Sequence, residues 1–363
     1  MGSWYLIEAL APPALSVVFK DGDSREWTSI RSLRRQDGVE PIEDLCTEVV
    51  HNRDRLDRTV VGRLGPRRIV MVPVLGPEGD VYGIKTWIGE SGEQPTQERA
   101  VAAVSWSIET LTVTHTLESY MMSSTSPEGF GSTRDPGEFL RKVVQFDALN
   151  ELAALCMNDG TRTQFQGALT VLHDDGHLMA WRGISRAGTG INGSEIRGLM
   201  HDVSDTEKPS IGPLTALRLS DLERHSDAPP AVLIAYRTND EATPPVIPAI
   251  MYWISPKPNY VADSAVTDLP DMETPGTPPN LIHPEDWDEF ARAQKVLKAR
   301  TQNELEIPVI ARILNKDREW TLVRFLLTGY PGAVGKRLHV GRFSPIEIEH
   351  LATERASETN AAE

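Results

Sequence analysis

The chain has 363 residues, 40% of them hydrophobic and 25% charged, which gives room for two or three domains with their own cores and excludes a disordered or fibrous protein. A formal net charge of −15 sets the summed field against phosphate backbones and anionic lipid surfaces, so neither nucleic acid nor membrane is an expected partner. The two cysteines, Cys46 and Cys156, imply no disulfide framework or cysteine metal centre. With no leader pattern and no apolar run near the ~18 residues that span a bilayer, the cytoplasm is the expected location.

In chain order, residues 4–7 and 16–19 read as a strand pair, and Ile42, Leu45, Cys46 and Val49 as the apolar stripe of a helix. Arg53, Arg55, Arg58, Arg63, Arg67 and Arg68 are interleaved with Asp54 and Asp57, a self-neutralising surface rather than an anion site. Residues 69–88 hold two β-branched runs around Pro77-Glu78-Gly79-Asp80. They predict a hairpin with Tyr82, Ile84, Thr86 and Ile88 facing the core and Lys85 outward.

The same order follows twice more. A strand pair at 104–108 and 111–116 precedes one helix from Phe139 through Val143, Phe146, Leu149 and Leu152 to Leu155. A hairpin over 163–184 then carries Phe165, Leu169 and Val171 on one strand and Met179 and Trp181 on the next, around Asp174-Asp175-Gly176, with a last strand at 196–203. After a short helix at 214–223, strands at 231–236 and 249–254 lead to a helix with Trp287, Phe290, Ala291, Val296 and Leu297 on its stripe. A hairpin over 309–327 buries Val309, Ile313, Val323, Phe325 and Leu327 and keeps Arg312 and Arg324 wet; a last strand spans 338–343.

This recurrence predicts an α+β protein of three consecutive small antiparallel sheets, each with helices on one face. The linkers at 90–97 and 204–213 divide it into residues 1–98, 99–208 and 209–350, with a small polar, disordered tail at 351–363. A pocket between sheet and helices has candidate walls in Phe165, Leu169, Met179 and Trp181 of the second unit and Val309, Val323, Phe325 and Leu327 of the third.

Motifs that carry chemistry are weak. Gly188-Thr189-Gly190-Ile191-Asn192-Gly193 spells GxGxxG, but a strand rather than a helix is predicted to follow, so it reads as a loop. Gly335-Lys336 lacks the glycine spacing and the hydroxyl residue of a phosphate-binding loop. His173, Asp174, Asp175 and His177 fall in a hairpin turn where side chains splay toward water, so no metal and no cofactor is expected. With no HExxH and no nucleophile elbow, a non-catalytic protein is the primary expectation. The alternatives are a hydrolase or metal-dependent enzyme of unrecognised class, using His173, Asp175 and His177, and a scaffold without ligand.

Ile282-His283-Pro284-Glu285-Asp286 opens the third-unit helix with a proline at its first position and acids at its positive end. This string resembles the segment of PAS domains that leads into a helix beside the ligand cleft, with His283 as helix cap. Over most of its length the chain also resembles an actinobacterial family of three-domain sensor-like proteins with tandem PAS and GAF-type domains and no output module. The supporting strings are Trp4-Tyr5-Leu6-Ile7-Glu8, residues 81–89, Trp106-Ser107-Ile108-Glu109-Thr110 and His283-Pro284. The resemblance implies signal sensing or adaptor work without catalytic residues. The partners it implies are a small apolar ligand, an unidentified signalling protein and a second copy of the chain.

Overall fold

The computed structural model describes residues 2–63, 65–107, 110–156, 163–188, 195–217, 228–238, 246–263, 280–299, 306–330 and 338–346. They form mostly antiparallel sheets with few helices, consistent with an α+β chain. Two compact units emerge. The first comprises Met1–Ile108, Val113–Thr133 and Lys142–Ala216; the second takes in the described residues within Glu109–Thr112, Arg134–Arg141 and Leu217–Glu363. Among the described residues no helix is long and apolar enough to cross a membrane.

The first sheet orders its strands β3 (Asp23–Ser29), β2 (Ala14–Lys20), β1 (Ser3–Ala11), β6 (Val81–Glu90), β5 (Gly65–Leu75) and β4 (Leu56–Gly62). Pleating sends Tyr5, Ile7, Ile69, Met71, Ile84 and Ile88 to one face. There they meet α1 (Arg31–Gln36) and α2 (Ile42–Asn52), whose predicted stripe of Ile42, Leu45, Cys46 and Val49 is buried. The helix ends at Arg53, left-handed at φ 61°, whose N–H closes onto the Val49 carbonyl. Within the arginine group, Arg53 pairs with Asp80, Arg58 with Glu48 and Arg68 with Asp57.

The other face of this sheet is also covered, which the sequence reading did not anticipate. A register shift between Val74 and Leu75 turns Tyr82 away from Ile84 and onto this second face, with Leu6, Leu10 and Phe19. Ala103, Ile184 and Leu199 of the second sheet pack against them. Lys85 accordingly does not stand free in water; its ammonium pairs with Glu98 at 3.0 Å. Glu8, in the middle of β1, is 0% exposed, and Arg186 reaches it across the gap at 3.1 Å while its guanidinium lies 4.5 Å over the Trp27 ring.

The second sheet runs β10 (Val143–Gln145), β11 (Gln164–Leu172), β12 (Leu178–Gly188), β13 (Glu195–Asp202), β7 (Val101–Ser107), β8 (Thr112–His115) and β9 (Thr133–Arg134). Three short helices accompany it in sequence: α3 (Leu117–Met121), α4 (Pro136–Phe139) and α5 (Leu149–Cys156). The single helix expected from Phe139 to Leu155 is thus broken. The β-branched pair Val143-Val144 adds an edge strand, with Val143 opposite Val171, and the helix resumes only at Leu149.

The third sheet orders β15 (Val246–Trp253), β14 (Ala231–Thr238), β18 (Leu338–Pro345), β17 (Trp320–Gly329) and β16 (Ile307–Leu314). A 3₁₀ turn, Pro284–Asp286, leads into α6 (Trp287–Ala299). His283 caps it as expected, its Nδ1 accepting the Glu285 N–H at 3.2 Å. The acids do more than complement a helix dipole. Asp286 takes bonds from the Arg312 backbone N–H, Nε and Nη2 at 2.7, 2.9 and 2.8 Å, and Glu285 takes another from Nη2. Arg312 therefore clamps the helix start to β16.

The GxGxxG string beyond Gly188, Gly335-Lys336, the helix expected at 214–223 beyond its helical start at 213–217, and the tail lie outside the described residues.

Candidate functional site

Strand alternation fixes what faces α6 in the second unit. Val232, Ile234 and Tyr236 come from β14, Val323, Phe325 and Leu327 from β17, and Gly341 and Phe343 lie along β18 with His339 two residues before. The helix presents Trp287, Phe290, Ala293 and Gln294, with Leu297 partly buried. Val296, expected on the stripe, is 42% exposed instead. The rings interlock: Phe290 meets Phe325 at 5.2 Å and Phe325 meets Phe343 at 5.0 Å. At Gly341 a Cβ would sit 2.8 Å from Ile234 Cδ1, so a side chain there would displace the wall.

Three members of this core are polar. Tyr236 is 2%, Gln294 2% and His339 1% exposed, and among the described residues the Tyr236 hydroxyl, Gln294 Nε2 and His339 Nδ1 have no hydrogen-bond partner. Each orphaned group costs about 1–3 kcal/mol. The Tyr236 and His339 rings meet edge to face at 5.0 Å. Gln294 lies one turn beyond Phe290 on the same stripe, and the Lys298 ammonium a turn further on acts electrostatically on His339, so the last turns of α6 lie near this pair. Burial, assisted by Lys298, pulls the His339 imidazole down to about 4, and burial pushes the Tyr236 phenol well above its ordinary value. At neutral pH the trio is an uncharged imidazole, phenol and carboxamide among aromatic and aliphatic walls. In its chemistry such a set matches a neutral, partly apolar molecule with hydrogen-bonding groups and not an ion.

The sequence-derived wall residues are all buried. Val309, Val323, Phe325 and Leu327 fall in this one core. In the first unit, Leu169 lies opposite Trp181 and Val171 opposite Met179, while Phe165 meets Phe146 edge-on at 6.0 Å. Trp181 also has a buried indole N–H without an acceptor among the described residues. Sequence reasoning missed Tyr236, Gln294 and His339. The available signal was a glutamine four residues after Phe290, inside an otherwise apolar stripe.

Elsewhere in the first unit, His201 lies buried against Phe19 at 4.6 Å in a crevice edged by Lys85 and Arg99. Burial pulls its imidazole down to about 3, and both cations are already paired, Lys85 with Glu98 and Arg99 with Asp205. His173, Asp175 and His177 sit on the exposed β11–β12 turn rather than in a cleft. They converge rather than splay, with ligand atoms all within 4.8 Å of one another.

Residues 3–97 match the profile of the family described as Rv3651-like, N-terminal. A crystal structure of an uncharacterised protein from Mycobacterium tuberculosis aligns over 97% of this chain and 98% of its own, with a TM-score of 0.71 at 16% identity. The family match is confined to the amino-terminal residues, and the whole-chain likeness is one of fold. An RNA-binding light-oxygen-voltage receptor aligns over 73% of this chain and 100% of its own at 9% identity, with a TM-score of 0.24 too low to carry an argument. No curated protein matches.

Proposed function

We propose that the chain is a non-catalytic sensor or adaptor of three PAS/GAF-like domains, in which the third domain binds a small neutral ligand between its sheet and α6. The observation that carries this reading is the trio of buried, unpartnered polar atoms on Tyr236, Gln294 and His339. A closed apolar core gains nothing from them, whereas a ligand with matching acceptors and donors offsets their desolvation. Antiparallel sheets carrying a few short helices agree with the PAS/GAF-like description, as does the capped turn at His283-Pro284. The signal then passes to a protein partner through a shift in the populations of bound and free states.

Native mass spectrometry of the purified full chain tests this. A retained small molecule is expected, with occupancy falling in Tyr236→Phe and Gln294→Leu. A bare chain mass, together with a double variant more heat-stable than the parent, would mean a closed core relieved of orphaned polar groups and would overturn the proposal.

A further inference from the structure

β11 and β12 join in a tight hairpin closed by the His173 N–H donating to the His177 carbonyl at 2.9 Å. That closure sets the two imidazoles side by side, centroids 4.6 Å apart and planes 25° from parallel. Gly176 turns the chain at φ 94°, a conformation that suits glycine alone among the turn's residues. Asp175 just before it folds its carboxylate back onto both rings: Oδ1 lies 2.9 Å from His173 Nδ1 and also contacts His177 Nδ1.

His173 Nδ1 additionally accepts the Asp175 backbone N–H at 3.3 Å. The same nitrogen lies 2.9 Å from Asp175 Oδ1, so the backbone and the carboxylate of one residue converge on one edge of the imidazole. In a tetrahedral zinc site, nitrogen and oxygen donors lie roughly 3.3 Å from one another. The donors here are within 4.8 Å, and the exposed His177 side chain can rotate to close the remainder.

The turn is also held from behind. Asp174 is engaged by Lys142 at 2.7 Å and by the Thr125 N–H at 3.4 Å, and its own N–H donates to the Ser123 carbonyl. These bonds keep the neighbouring carboxylate out of the ligand set and fix the orientation of the turn.

We propose that this turn binds one divalent transition-metal ion through His173 Nδ1, Asp175 Oδ1 and His177 Nδ1, with the fourth position left to water. Two imidazoles and one carboxylate suit Zn²⁺, Ni²⁺ or Cu²⁺, whereas Mg²⁺ and Ca²⁺ favour all-oxygen sets.

Calorimetric titration of the tag-free full chain with Zn²⁺ tests the site, with Co²⁺ absorption as a report on coordination geometry. Asp175 and His177 side chains are 53% and 55% exposed, so Asp175→Asn and His177→Ala leave the fold intact, checked by circular dichroism. One equivalent of Zn²⁺ is expected on the parent chain, undisturbed by excess Mg²⁺. Either substitution should weaken it about 100-fold or more, while His51→Ala, at the end of α2, leaves it unchanged. Absence of binding overturns the proposal. So does an affinity that stays within about threefold of the parent in both variants, the mark of an adventitious ion held elsewhere.

Discussion

Replacing Arg186 by methionine removes the cation from a carboxylate that water cannot reach. Glu8 is 0% exposed, and its remaining partners are the Leu10 N–H at 3.0 Å and Ser16. At an effective dielectric near 20, unit charges at this 3.1 Å separation attract by about 5 kcal/mol. Desolvation of the pair cancels part of that, and losing one partner of a buried pair costs about 3–5 kcal/mol. Arg186 keeps 19% of its side-chain exposure, which places the expected loss near 3 kcal/mol.

The pH dependence has a definite sign. Burial already raises the Glu8 carboxyl above its ordinary value, and Arg186 opposes that rise. Without the arginine the folded-state value climbs further. A carboxyl raised on folding contributes stability that is present below its unfolded value and lost as pH rises through the folded one. The deficit of Arg186→Met is therefore full at neutral pH and shrinks on acidification. Hydrogen exchange of β1 and β12 amides, corrected for intrinsic rates, should show protection reduced about 100-fold at pH 7 and recovering toward acid. Glu8→Leu combined with Arg186→Met should restore most of it. Unchanged protection in the single variant at neutral pH, or a double variant no better than the single, would refute the reasoning.

In the second unit, Arg312→Leu removes the clamp on Asp286 and Glu285 and should cost about 2–3 kcal/mol, read as faster exchange across residues 287–299 than across β17. His339 is held neutral by burial down to about 4, so the unfolded chain takes up its proton first as pH falls from the ordinary histidine value. Stability from this group is present above that value and lost between there and pH ~4, on the order of 3 kcal/mol; acid titration of the parent against His339→Phe checks it, equal slopes contradicting the assignment.

Much of the strand content was legible because hairpins announce themselves locally. Pro77-Glu78-Gly79-Asp80, Asp174-Asp175-Gly176 and the turn within 309–327 each join strands where the apolar runs place them. The second burial of the first sheet was not legible. Leu6 and Tyr5 are both buried but on opposite faces, and adjacent buried residues read the same whether they face a helix or another sheet. The break after Phe139 was hidden because the apolar spacing of Val143 and Phe146 fits a helix, while the pairing of Val143 with Val171 depends on a partner 28 positions away. Of the candidate site, the apolar walls were visible as inward positions. His339 was not, since a histidine between Leu338 and Val340 says nothing about the face it occupies until the register with Ile234 is known.

Leu6, Leu10, Phe19 and Tyr82 on one side, and Ala103, Ile184 and Leu199 on the other, form a seam shared by two sheets. The profile that matches residues 3–97 stops on one side of that seam. Cutting the gene there would leave a fragment with an oily face and an unneutralised Glu8 at its centre, prone to self-association in the test tube. What is recognisable as a hereditary module is thus smaller than what can be handled as a folded object. Expression work on the amino-terminal half should carry both sheets together.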